Sequence, residues 1–276
     1  MSYVDVVEKT EVPKPPKFYT EPRFEEVLGL PVAYRRKGNG EPAVLFHGAG
    51  FTRMWIPLYE NLSKRLDFIA PECPGFGETP LANWIKGFDD LVILYDQFFE
   101  QLGLEQVHLI GFSMGGWAAA EFASYYPRRV KSLSLITPVG LRLEDNPGVD
   151  LFQLAPEDLM DRLFKDKTVM AEWLPDMDNF DEGVHAYTEF SAAARFMWAP
   201  RYNLALEHRL QRVSCQSLVV GAEEDRLIPN EMSDRFTEFL PRSELVRIPG
   251  TGHEVCLERP EELAETLINF ILEASK

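Results

Sequence analysis

The chain has 276 residues, 45% of them hydrophobic and 26% charged, with a formal net charge of −16; it is long enough to bury a substantial core. The charge opposes partners that present phosphate, since those require Lys/Arg patches, so neither nucleic acid nor an anionic membrane is an expected partner. Cys73, Cys215 and Cys256 are widely spaced with no CxxC pair, which argues against a disulfide framework or zinc site and for a reducing compartment.

The first twenty residues carry Pro13, Pro15 and Pro16 and lack the apolar stretch of a signal peptide; residues 1–23 read as an extended arm. No window reaches about 18 uninterrupted apolar residues, so a cytoplasmic protein without a transmembrane helix is expected. "EEVLGLPVAYRRKGNGEPAVLFHGAG" reads as strand, turn, strand, turn and a buried strand at 43–46. Its "GNG" at 38–40 is a hairpin signal rather than a phosphate loop. "DFIAPE" (67–72) is a further strand ending in the turn "CPGFGETP". From Phe88 the apolar residues fall at 88, 91, 92, 95, 98, 99 and 102, a helical period. "VHLIGF" and "VKSLSLIT" are β-rich runs on either side of an Ala-rich helix at 115–126. Continuously apolar strands separated by helices imply an α/β fold, a mostly parallel sheet covered on both faces.

Residues 141–209 interrupt the alternation with helical segments and no convincing strand, and read as a helical insertion into a core formed by 24–140 and 210–276. The alternation resumes with "QSLVVGAEED", a helix near 229–240, the strand "ELVRIPG", and a closing helix from Pro260 with Leu263, Leu267, Phe270 and Ile271 on one face.

Gly111-Phe112-Ser113-Met114-Gly115 is a G-x-S-x-G motif with a strand before it and a helix after it, the context in which the serine of a strained strand-to-helix turn acts as a nucleophile. A serine hydroxyl needs a base to take its proton and a third group to orient that base. Of the five histidines, His108 lies in a strand pattern, His185 and His208 in the insertion, and His47 at a strand end suited to shaping a loop. His253, in the glycine-rich "PGTGHEV" after a strand, sits where α/β sheets form their ligand crevice and is the expected base. "VVGAEEDRLIP" offers Glu223, Glu224 and Asp225, of which one is expected to act. The oxyanion donors are expected to be the N–H of Met114 and one from "HGAGF", Ala49 or Gly50.

These motifs together resemble the α/β-hydrolase superfamily, in the group of small cap-bearing hydrolases, over about residues 24–275. "HGAG" stands at the oxyanion loop, "ECPGFGET" at the acidic-x-P-G-x-G-x-S turn with Glu72 and Thr79 for the commoner Asp and Ser, and "GFSMGG" at the nucleophile elbow. "GAEEDRLIP" is the acid loop and "GTGHEVCLERPEELAETLINFI" the histidine loop with its closing helix. The family's aspartate four residues before proline selects Asp225, before Pro229. The resemblance implies a helical cap at 141–209 and a Ser113–His253–Asp225 triad acting through an acyl-enzyme; the clustered Phe190, Phe196, Met197, Trp198 and Tyr202 of the insertion point to a small apolar ester as substrate.

Serine at the elbow argues against the dehalogenase and epoxide-hydrolase relatives, which use aspartate there. The carbon–carbon hydrolases of aromatic ring-fission products are the main alternative. They usually carry Asn where this chain has Phe112, and Trp directly after the histidine, where it has Glu254. A lyase or perhydrolase on the same triad and a non-catalytic receptor are the remaining readings. Phe112, Trp117, Arg195, Phe196 and Trp198 are the expected substrate-binding residues, Arg195 as a candidate partner for a substrate carboxylate. With no clustered His/Cys set, no metal or organic cofactor is expected, and the partner is a small-molecule substrate; the sequence leaves monomer and homodimer both open.

Overall fold

A computed structural model describes residues 18–50, 52–174 and 179–275. The first 17 residues of the expected arm lie outside that range. In chain order the elements are β1 (Arg23–Val27), β2 (Leu30–Lys37), β3 (Pro42–Phe46), α1 (Pro57–Ser63), β4 (Asp67–Pro71), α2 (Phe88–Gln101), β5 (Val107–Phe112), α3 (Met114–Tyr125) and β6 (Val130–Ile136). Then come α4 (Pro156–Leu163), α5 (Lys167–Trp173), α6 (Phe180–Met197), α7 (Leu206–Leu210), β7 (Gln216–Ala222), α8 (Asn230–Phe239), β8 (Ser243–Ile248), α9 (Val255–Glu258) and α10 (Pro260–Ala274).

The strands form one eight-stranded sheet in the order β1-β2-β4-β3-β5-β6-β7-β8. From β4 to β8 every pairing is parallel, while β2 runs antiparallel to both β1 and β4. The central strands are apolar throughout because both faces are covered. Alternate residues of β5 divide between the two cores, Val107 and Leu109 facing the side packed by α2, α3 and α8, and Ile110 and Phe112 facing the side of α1 and α10.

The "GNG" hairpin expectation is wrong. Residues 38–40 connect β2 to β3, but β4 lies between these two strands in the sheet. Gly38 and Gly40 have φ of 94° and 132°, and a Cβ on Gly38 would collide with the carbonyls of Ser63 and Leu66. Glycine there permits close passage over the end of α1, not a two-residue reversal. The β1–β2 hairpin turns instead at Leu28-Gly29, both with positive φ.

The chain crosses from β3 to β4 on one side and places β5 on the other, so the sheet reverses its winding at β3. The crevice at a reversal opens at the C-terminal ends of its strands, here after Phe46 and Phe112. The segment from β6 to β7 contains α4–α7 and leaves the sheet as a helical excursion. Its two ends are drawn together by a bridge between Gly140 and Tyr202 and by Asn203 N–H donating to Gly140 O at 2.8 Å. At the far end of the excursion α7 packs on α3, with Leu206 and Leu210 fully buried.

Candidate active site

Ser113 sits between β5 and α3 with φ 52° and ψ −114°, a left-handed conformation that strains any residue with a Cβ. The surrounding turn tolerates it because its neighbours are small: a Cβ on Gly115 would collide with the carbonyl of Phe46, and one on Gly111 with the carbonyl of Gly115. The Ser113 N–H donates to Ile136 O of β6 at 2.9 Å, which fixes the turn to the sheet.

Three loops at the C-terminal sheet edge converge on this serine. Ser113 Oγ lies 2.9 Å from His253 Nε2, and His253 Nδ1 lies 2.7 Å from Asp225 Oδ2. A carboxylate only accepts, so Nδ1 carries the ring proton and Nε2 is left to accept from the serine hydroxyl. Asp225 Oδ1 accepts from the N–H groups of Leu227 and Ile228 at 2.9 and 2.8 Å, so the carboxylate is locked by its own loop. Of the other two acids, Glu223 is exposed and Glu224 pairs with Lys165. Burial of His253 disfavours its charged form, but the charge and hydrogen bond of Asp225, with Glu254 adding to them, hold the imidazole above its ordinary value. Burial pushes the neighbouring Glu254 carboxyl up to about 7.

His47 shapes the loop after β3. Its Nδ1–H donates to Gly48 O at 2.6 Å and its Nε2 accepts from Cys73 N–H at 2.9 Å; burial holds this ring below its ordinary value, as a neutral strut. Gly50 N–H is turned back onto Gly48 O at 3.1 Å and is not free for an incoming oxygen, so of the two loop donors expected from the sequence Ala49 remains, at an exposed position. Met114 opens α3, where first-turn N–H groups have no intrahelical acceptor.

The expected substrate-binding residues separate. The Phe112 ring stands 5.5 Å from the His253 ring and against Gly48, within the site. Trp117 is not there: its ring stacks on Phe88 at 4.3 Å and its Nε1–H donates to the buried Glu121 at 3.1 Å. Phe196 joins the same core, 5.6 Å from Phe88. One helical turn beyond the serine carries Trp117 under the sheet rather than into the crevice. Arg195 and Trp198 line a separate cavity of about 600 Å³ between α6 and residues 75–81, whose walls include none of Ser113, Asp225 and His253.

Two buried glutamates that no sequence pattern singled out tie the helical excursion to these loops. Glu258 Oε2 accepts from Gly252 N–H at 2.6 Å in the histidine loop, and its Oε1 accepts from Asp166 N–H at 2.5 Å, before α5. Glu254 N–H donates to Leu163 O at 3.0 Å alongside. Glu189, on α6, bonds to the loops after β3 and β4. In a chain with 44 acidic residues, their burial, shared with Glu72, Glu121 and Glu254, sets these two apart from the solvated acids.

A sequence profile of the alpha/beta hydrolase family matches residues 43–266, and the chain belongs to that family. A 2-hydroxy-6-oxo-2,4-heptadienoate hydrolase of Pseudomonas putida is 27% identical over 252 residues, which span 85% of this chain and 90% of the relative. A monoacylglycerol lipase of Mus musculus is 26% identical over 271 residues, 87% of this chain and 78% of the lipase. In three dimensions a meta-cleavage product hydrolase from Pseudomonas fluorescens shares the fold, with a TM-score of 0.77 at 21% identity over 91% of this chain and 98% of that one. Among the described residues no helix is long and apolar enough to cross a membrane.

Proposed function

We propose that this chain is a serine hydrolase that cleaves a small apolar ester through an acyl-enzyme. The observation that carries this reading is the continuous hydrogen-bonded line from Asp225 through His253 to a serine held at φ 52°. His253 Nε2 takes the hydroxyl proton as Ser113 Oγ adds to the acyl carbon, and the imidazolium is stabilised by Asp225. The N–H groups of Ala49 and Met114 receive the oxyanion. The same proton then passes to the departing alkoxide, and a water activated by His253 releases the acid. The helical excursion of α4–α7 acts as a cap over these loops.

Carbon–carbon bond hydrolysis is the second reading, favoured by the similarity to the 2-hydroxy-6-oxo-2,4-heptadienoate hydrolase of Pseudomonas putida. Against it, Phe112 supplies no hydrogen-bond donor beside His253, and the residue after the histidine is a buried carboxyl, Glu254. A panel of p-nitrophenyl esters of increasing acyl length, run beside 2-hydroxy-6-oxo-2,4-heptadienoate, separates the two. The ester reading expects kcat/KM for short and medium esters to exceed that for the dienoate by about tenfold or more, a difference of about 1.4 kcal/mol in transition-state binding. Preference for the dienoate would overturn it.

A further inference from the structure

Helix α6 presents Glu189, Ala192, Ala193, Phe196 and Met197 to the protein interior, the spacing of a core-facing stripe. An apolar side chain is expected at each of these positions, yet the first is a carboxylate only 7% exposed. Of the three acids on α6 it alone is buried. A carboxylate so placed is costly unless bonded. Its Oε1 receives the Thr52 hydroxyl and the Gly77 N–H, the latter at 3.0 Å, and His185 Nε2 stands 3.0 Å away, one turn back along the helix. Burial opposes the charge of Glu189, but these partners hold the carboxyl below the usual range.

The close approach is built into both sides. A Cβ on Gly75 would press on the Cβ of Ala192, so α6 rests directly on the turn after β4. Thr52 lies two residues beyond Gly50, in the loop that presents Ala49 to the serine. From its other side that loop is held by the chain before β1, where Thr20 N–H donates to Arg53 O at 3.1 Å. The loop is thus clasped between the N-terminal segment and α6, which holds Thr52 through a carboxylate oxygen of Glu189.

We propose that Glu189 is a positioning residue for the oxyanion loop: by holding Thr52 and Gly77 it couples the seating of α6 to the placement of the Ala49 N–H. The proposal rests on the acyl-transfer reading given above. A misplaced donor weakens binding of the tetrahedral species while leaving ground-state contacts in place, and complete loss of one oxyanion donor costs about 10²–10³ in kcat. Loosening the loop therefore lowers kcat of Glu189→Ala by roughly 10- to 100-fold on p-nitrophenyl butyrate, with KM held to within about threefold. Affinity for an alkyl trifluoromethyl ketone, which becomes a tetrahedral adduct, falls by the same factor as kcat/KM. Glu189→Gln keeps an acceptor oxygen and restores most of kcat. Thr52→Val added to Glu189→Ala costs little more, because both remove one contact.

Amide hydrogen exchange provides a readout independent of activity. Glu189→Ala should speed exchange across residues 48–55 and leave residues 249–254 as protected as in the wild type. Unchanged exchange at 48–55 would overturn the clasp, as would equal kcat in the Ala and Gln variants if both match wild type, or a loss confined to KM. Faster exchange at 48–55 in a protein whose wild type turns over no ester would support the clasp and instead sink the acyl-transfer reading.

Discussion

Asp225 gives one carboxylate oxygen to the backbone of its own loop and the other to His253, so its rotation is restrained from both sides. This gives the pH dependence a definite sign. His253 must be neutral to accept the serine proton, and its pKa lies above the ordinary histidine value; kcat/KM therefore falls as pH drops through that raised value. Asp225→Asn removes the charge that lifts it, so the acid limb moves to lower pH while kcat falls by about 10³–10⁴-fold. Glu254 contributes in the same direction, through charge alone. Glu254→Gln should move the limb to lower pH by less, keeping the high-pH plateau of kcat to within about threefold. A stopped-flow pH series on the three proteins checks the order of the limbs. A Glu254→Gln limb displaced upward would contradict the assignment.

At the scale of elements, α9 is only four residues long, yet its last residue joins the histidine loop to the segment before α5. Glu258→Ala leaves the Asp166 and Gly252 N–H groups without their acceptor. Orphaned donors of this kind, one buried and one partly buried, cost about 1–3 kcal/mol each, so urea unfolding should show a loss of about 2–6 kcal/mol. Glu258→Gln has one acceptor oxygen for two donors and should fall between. Gly252 passes so close to Leu163 and Lys165 that a Cβ would lie 2.7 Å from backbone atoms of each. The histidine loop and the α4–α5 connection are therefore packed backbone against backbone.

Over the whole molecule, the parts readable from sequence were those governed by local rules. The helix at 88–101 declares itself by its period, and β5 by six consecutive residues that the sheet buries on both faces. Ser113, Asp225 and His253 could be singled out in the sequence because each follows a strand and sits in a motif that resembles the alpha/beta hydrolase pattern. Hidden were the consequences of contacts between distant segments. The "GNG" turn misled because β4, 27 residues further on, takes the place beside β2 that a hairpin would have given to β3. Trp117, on α3, and Phe196, on α6, misled because both rings pack against Phe88 in the core rather than facing the serine. Glu189 and Glu258 could not be told from dozens of solvated acids until the fold buried them.

The central claim is that Ser113 is the nucleophile, and its most direct test is intact-mass analysis and peptide mapping after reaction with a fluorophosphonate probe. Wild-type protein should gain a single adduct mapped to Ser113, and Ser113→Ala should gain none. Undiminished labelling of Ser113→Ala, or a wild-type adduct on any other residue, would contradict the account.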